Sequence, residues 1–226
     1  FQDCVDFTKR PVSLGEGGAC TLTLCYLSGM VKMERVSDYV LRPLAQDEAL
    51  ARCGTPRQAM EEMMGGALYN LSAAERTTLD EAAFDLVARW CLMFFPGESA
   101  VLSLFVGTEE KRSISSPSNE TVLKGSRDAF VESLRTNTSI VRRHLKAPEL
   151  RIREQVVGRQ SVTSVDILYI EGLTNPHLVE QVAAQLADID IDAVLATGNI
   201  EEYIVPAART AFPLVQYTER SDRFCA

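Results

Sequence analysis

The side chains best able to do chemistry are two histidines, six cysteines and the adjacent glutamates Glu201-Glu202, and their spacing gives them little to act on. His144 and His177 have no second ligand at metal-binding distance along the chain. The cysteines stand at 4, 20, 25, 53, 91 and 225, with no Cys-x-x-Cys pair among them, so no zinc-finger pattern arises. Cys20 and Cys25, five apart along a strand-like run, fall on opposite faces, and the set is expected to be reduced and buried. Glu201 and Glu202 open a helix, where adjacent positions point in different directions and acids suit the positive end of the helix. The gap Gly15-Glu16-Gly17-Gly18 could cradle a phosphate only if a helix N-terminus followed, and a strand follows instead. No Gly-x-Ser-x-Gly elbow, Walker lysine loop or His-Glu-x-x-His is present. The expectation is a protein without catalytic residues, metal or cofactor.

The elements that must position these residues are written twice. Gly15, Tyr26, Gly29 and Val36 return as Gly158, Tyr169, Gly172 and Val179, each 143 positions later, with aliphatics facing aliphatics between them. A gap-free register through two strand-like runs and into a helix predicts two related halves. The expected fold is α/β: two subdomains with small mixed sheets, from an internal duplication, joined by a linker and a long helix. The boundaries are 1–114, a linker at 115–126, and 127–226. A length of 226 residues accommodates two domains of about 100 residues each.

A formal net charge of −8 argues against general nucleic-acid binding, which needs a basic footprint. No signal peptide and no apolar run of about 18 residues is present, so no segment here is expected to span a membrane. The chain starts at Phe1 and is expected to be a piece of something longer.

Val12–Leu14 and Thr21–Leu27 predict a hairpin, as do Val156-Val157 and Val165–Ile170. A helix follows Gly29 with Val36, Val40, Leu41 and Leu44 on one face and Pro43 near its end. Another spans Pro56 to Gly65. Thr78 reads as the cap of a third, which carries Phe84, Val87 and Ala88. Cys91–Phe95 and Ala100–Val106, around Pro96-Gly97, predict a buried hairpin. In the second half a helix enters at Asn175-Pro176 with Leu178, Val182, Leu186 and Ile189 as its stripe. Ile189–Val194 and Leu214–Tyr217 read as strands, with a helix from Thr197 between them and a charged exit after Tyr217.

The polar, serine-rich stretch 109–125 suits a linker. Beyond it a long helix is expected over Arg127–Lys146, with Phe130, Leu134, Val141 and Leu145 on one face. Asn137 interrupts that face and must find a hydrogen-bond partner, because burial without one costs about 1–3 kcal/mol. Arg135, Arg142, Arg143, Arg151, Arg153 and Arg159 form the one basic concentration. A salt-bridged, solvated face is the plain reading. Docking to an acidic partner or to anionic lipid is the sharper one.

The run Lys124-Gly125-Ser126-Arg127-Asp128-Ala129-Phe130-Val131-Glu132-Ser133-Leu134-Arg135-Thr136-Asn137-Thr138-Ser139-Ile140-Val141-Arg142-Arg143 resembles the GerA family of spore germination A subunits. The resemblance continues through Val157–Ser161, Leu168–Gly172, Ile189–Asp192 and Glu201-Glu202. It closes with Pro213–Arg220, which is most similar to the stage V sporulation protein AF branch. It covers about the last hundred residues closely and the first half loosely. Many members have Gly at the position of Ala129 and Pro at that of Ser221.

The resemblance implies a domain on the cytoplasmic side of the spore inner membrane, preceding a multi-span membrane region. It implies partner germination-receptor subunits and sister copies, and a role in assembly and in coupling a signal to an ion-conducting region. It brings no catalytic residues. The candidate interaction residues on its motifs are Arg127, Asp128, Glu132, Asn137, Arg142 and Arg143, with Glu171, Glu219 and Arg220. A module binding a small germinant between the two subdomains is the alternative.

Overall fold

In the computed structural model, which describes residues 1–14, 20–68, 72–107, 128–194, 196–205 and 215–226, packing divides the chain into two compact units. One comprises Asp6–Arg112 with Lys146–Pro148, and the other Phe1–Val5, Ser113–Leu145 and Glu149–Ala226. The glycine gap at 15–18, the linker at 115–126 and Arg127 lie outside the described residues.

In the unit that begins at Asp6, β1 (Phe7–Ser13) pairs with β2 (Thr21–Leu27). Beyond them lie β3 (Ala73–Arg76), β4 (Trp90–Phe94) and β5 (Val101–Phe105), and the sheet order is β1-β2-β4-β5-β3. Every ladder is antiparallel, where mixed sheets were expected. The hairpins β1–β2 and β4–β5 impose this, because parallel neighbours would need crossover connections. β3 is the strand the sequence did not announce. Its four residues, Ala-Ala-Glu-Arg, carry no apolar alternation, and among the described residues it is held at the edge by β5 alone.

Helices cover this sheet. α1 (Met33–Val36), a π-helical turn at Ser37–Leu41 and α2 (Arg42–Gln46) run on from one another. Val36, Val40 and Leu44, four apart, are fully buried in the core with Leu22, Leu24 and Met93. The π-helical turn leads directly into Pro43, which lacks the amide that an uninterrupted α-helix would use there. α3 (Glu48–Ala51) follows, then α4 (Pro56–Glu62), which passes into a second π-helical turn at Met63–Ala67. Thr78 caps α5 (Leu79–Val87), accepting from the Glu81 amide at 3.3 Å. Buried Asp85 receives both Arg76 Nε (2.7 Å) and Nη2 (3.2 Å), and that guanidinium also lies 5.9 Å from the Trp90 ring. Phe84, one of the residues the helix was read to carry, is exposed, and α5 buries Ala82, Leu86 and Val87.

The other unit is built on α6 (Leu134–His144), β6 (Leu150–Val157), β7 (Thr163–Ile170), α7 (Pro176–Ala187), α8 (Thr197–Ile204) and α9 (Ser221–Phe224). Phe1–Val5 runs with it: the Val5 amide donates to the Ile152 carbonyl at 2.9 Å. The two hairpins β1–β2 and β6–β7 pair in registers that correspond at a fixed spacing. Phe7 faces Leu27 and Ser13 faces Thr21, while Leu150 faces Ile170 and Val156 faces Ser164, at the same offset of 143. Gly29 and Gly172 both sit at φ 82, and the helices that follow start at Met33 and Pro176. The sheets then differ, because β2 gains β4 as a neighbour whereas β6 and β7 form a two-stranded sheet.

Three expectations for this unit are corrected. Ile189–Val194 is not a strand: it lies along the β6–β7 turn, taking hydrogen bonds from Arg159 to Ile191 and from Gln160 to Asp192. Val215–Tyr217 is not a strand either, and Leu214 lies outside the described residues. Of the expected α7 stripe, Leu186 and Ile189 are buried and Val182 packs against them, whereas Leu178 is exposed and Val179 and Ala183 are buried in addition. Asn175 caps α7 as expected, accepting from the His177 amide at 3.0 Å.

Candidate functional site

The expected long helix is shorter at its start. α6 begins at Leu134, capped by Ser133, which accepts from the Thr136 amide at 3.3 Å. The residues before it are extended because Asn137 turns back onto them. Its Oδ1 accepts from the Val131 amide at 2.8 Å, and its Nδ2 donates to the Val131 carbonyl at 2.7 Å. The polar residue on the apolar face thus has its partner, as the cost of leaving it bare required.

The extended residues pair with the charged exit. Ala129 forms an antiparallel bridge with Arg220. On either side, the Phe130 amide donates to the Glu219 carbonyl at 2.8 Å and the Ser221 amide to the Asp128 carbonyl at 3.3 Å. Fully buried Ser221 also donates its hydroxyl to the Asp128 carbonyl at 3.1 Å, and its Oγ lies 3.2 Å from His144 Nε2. With the hydroxyl proton committed to the carbonyl, Ser221 Oγ accepts, which assigns the Nε2 proton to His144. Asp128 Oδ2 lies 3.5 Å from that same nitrogen. Phe130 and Phe224 meet edge to face at 5.6 Å, and Arg220 makes a two-pronged pair with Asp222 at 3.0 and 2.5 Å. That guanidinium holds the Asp222 carboxyl below its ordinary range.

Serine, histidine and aspartate meet here without the geometry of a nucleophilic triad. That relay uses both ring nitrogens, one toward the nucleophile and one toward the carboxylate. Here both contacts fall on Nε2, and the serine is sealed from solvent. The arrangement is a clasp that ties the exit segment to the N-terminal approach of α6 and to its last residue.

The remaining candidates are dispersed. Arg142 is fully buried, donates to the Leu150 carbonyl at 3.2 Å and faces the Phe1 ring at 5.6 Å, so it belongs to the interior of this unit and not to its surface. Arg143 and Glu132 are exposed. Glu171 is exposed and pairs with Arg151. The basic concentration is salt-bridged: Arg135 to Glu154 and Asp166, Arg153 to Glu180 at 2.8 Å, and Arg159 to Asp190 at 2.6 Å. The exposed pairs Arg153–Glu180 and Arg159–Asp190 contribute about 0–1 kcal/mol each, whereas the Asp166 carboxylate that Arg135 reaches is buried. Reasoning from the sequence placed neither Ser221 nor His144 among the candidate residues. The one available signal was that the run through Arg220 closes the family motif.

The profile of the Bacillus/Clostridium GerA spore germination protein family matches residues 1–226. The chain belongs to the GerA family. Among its relatives in Bacillus subtilis (strain 168), it is 33% identical to the uncharacterized membrane protein YfkQ over 225 residues, covering 100% of this chain and 42% of that protein. It is 32% identical to spore germination protein KA, covering 96% and 39%, and 30% identical to stage V sporulation protein AF, covering 89% and 40%. This GerA chain therefore spans about two-fifths of the length of these relatives. Its fold matches the crystal structure of the N-terminal domain of the A subunit of the Bacillus megaterium spore germinant receptor GerK3. The TM-score is 0.74 at 25% identity, covering 99% of this chain and 81% of that one. The clasp thus joins the start and end of the stretch through which the GerA resemblance was first legible.

Proposed function

We propose that this GerA chain serves spore germination as an assembly and coupling domain. On this reading it lies on the cytoplasmic side of the spore inner membrane. It packs against partner receptor subunits and sister copies, and it passes a conformational signal to an ion-conducting membrane region carried by the rest of the protein. It does no catalysis of its own. The observation that supports coupling is the clasp: Glu219–Ser221 is hydrogen-bonded to Asp128–Phe130 and, through Ser221, to the end of α6. A displacement of the exit segment would be felt at once at both ends of that helix.

The test is to lock the clasp. Hydrogen bonds flank the Ala129–Arg220 bridge without joining the two residues directly, which places their Cα atoms about 4.5 Å apart. That separation is within disulfide reach. Full-length protein carrying Ala129→Cys and Arg220→Cys is expected to co-purify with its partner subunits whether oxidised or reduced. Spores bearing it are expected to lose their germination response on oxidation and regain it on reduction. An oxidised variant that responds as the reduced one does would overturn the coupling role.

A further inference from the structure

We draw no further inference here: the strongest candidate, the apolar corner before and at the start of α7 where Leu173 and Leu178 stand exposed, carries nothing because nothing in the structure shows what covers it.

Discussion

Asn137 holds Val131 by both of its main-chain groups, through bonds of 2.8 and 2.7 Å. One side chain thereby ends α6 one turn below itself and keeps the approach extended, in position to pair with Glu219–Ser221. Asn137→Ala removes both bonds and leaves a part-buried amide and carbonyl to find other partners. The expected loss is about 1–3 kcal/mol in urea unfolding. Faster hydrogen exchange at the Phe130 amide should accompany it. A variant as stable as the parent, with that exchange unchanged, would show that the approach is held by something else.

Arg142 and Arg143 are neighbours with opposite fates. Arg142→Glu places a carboxylate beside the Leu150 carbonyl in a space without solvent, and is expected to cost about 3–5 kcal/mol. Arg143→Glu, at an exposed position, should stay within about 1 kcal/mol. Thermal unfolding of the two variants separates them, and equal losses would contradict the burial of Arg142. Reversing both together cannot report on assembly alone, because one of the pair supports the fold.

Gly158 and Gly172 share a left-handed backbone but not a neighbourhood. An added Cβ at Gly158 (φ 89) would stand 2.3 Å from Ser161 Oγ, which also accepts from the Val194 amide at 3.0 Å. At Gly172 (φ 82) nothing lies within 4 Å. Gly172→Ala should therefore cost about 1 kcal/mol from backbone strain, and Gly158→Ala clearly more. Chemical denaturation of the two variants would show the ranking, and the reverse order would argue against the clamp of residues 191–194 on the β6–β7 turn.

Burial pushes the Cys91 thiol up to about 12 from an ordinary value of 9.0. Below pH 9 the thiol is protonated in both folded and unfolded chains, and its contribution to stability is fully present. As pH rises from about 9 toward 12, the unfolded chain releases its proton first, so stability falls across that window. Cys91→Ala should show a shallower alkaline decline in urea midpoint than the parent. Iodoacetamide at pH 8 should label the partly exposed Cys53 and Cys225 well before Cys91, and early labelling of Cys91 would refute its burial.

Features whose bonds close within a few residues were legible from the chain. Thr78 and Asn175 cap helices three and two residues away, and Val36, Val40 and Leu44 bury one helix face because helical spacing alone puts them there. The hairpin register repeats at a constant offset because alternation along a strand is written in the order of residues. The family, too, was legible, since its motifs are runs of adjacent residues. The rest depended on partners far along the chain. β3 exists only because β5 offers it an edge, and Ile189–Val194 is no strand because its hydrogen bonds go to a turn. Arg142 is interior because Leu150 and Phe1 close over it. The clasp of Asp128, His144 and Ser221 joins three segments whose separation in sequence hides their contact. Composition and spacing determine which faces a segment can bury; only the folded chain decides which distant polar groups must then satisfy one another.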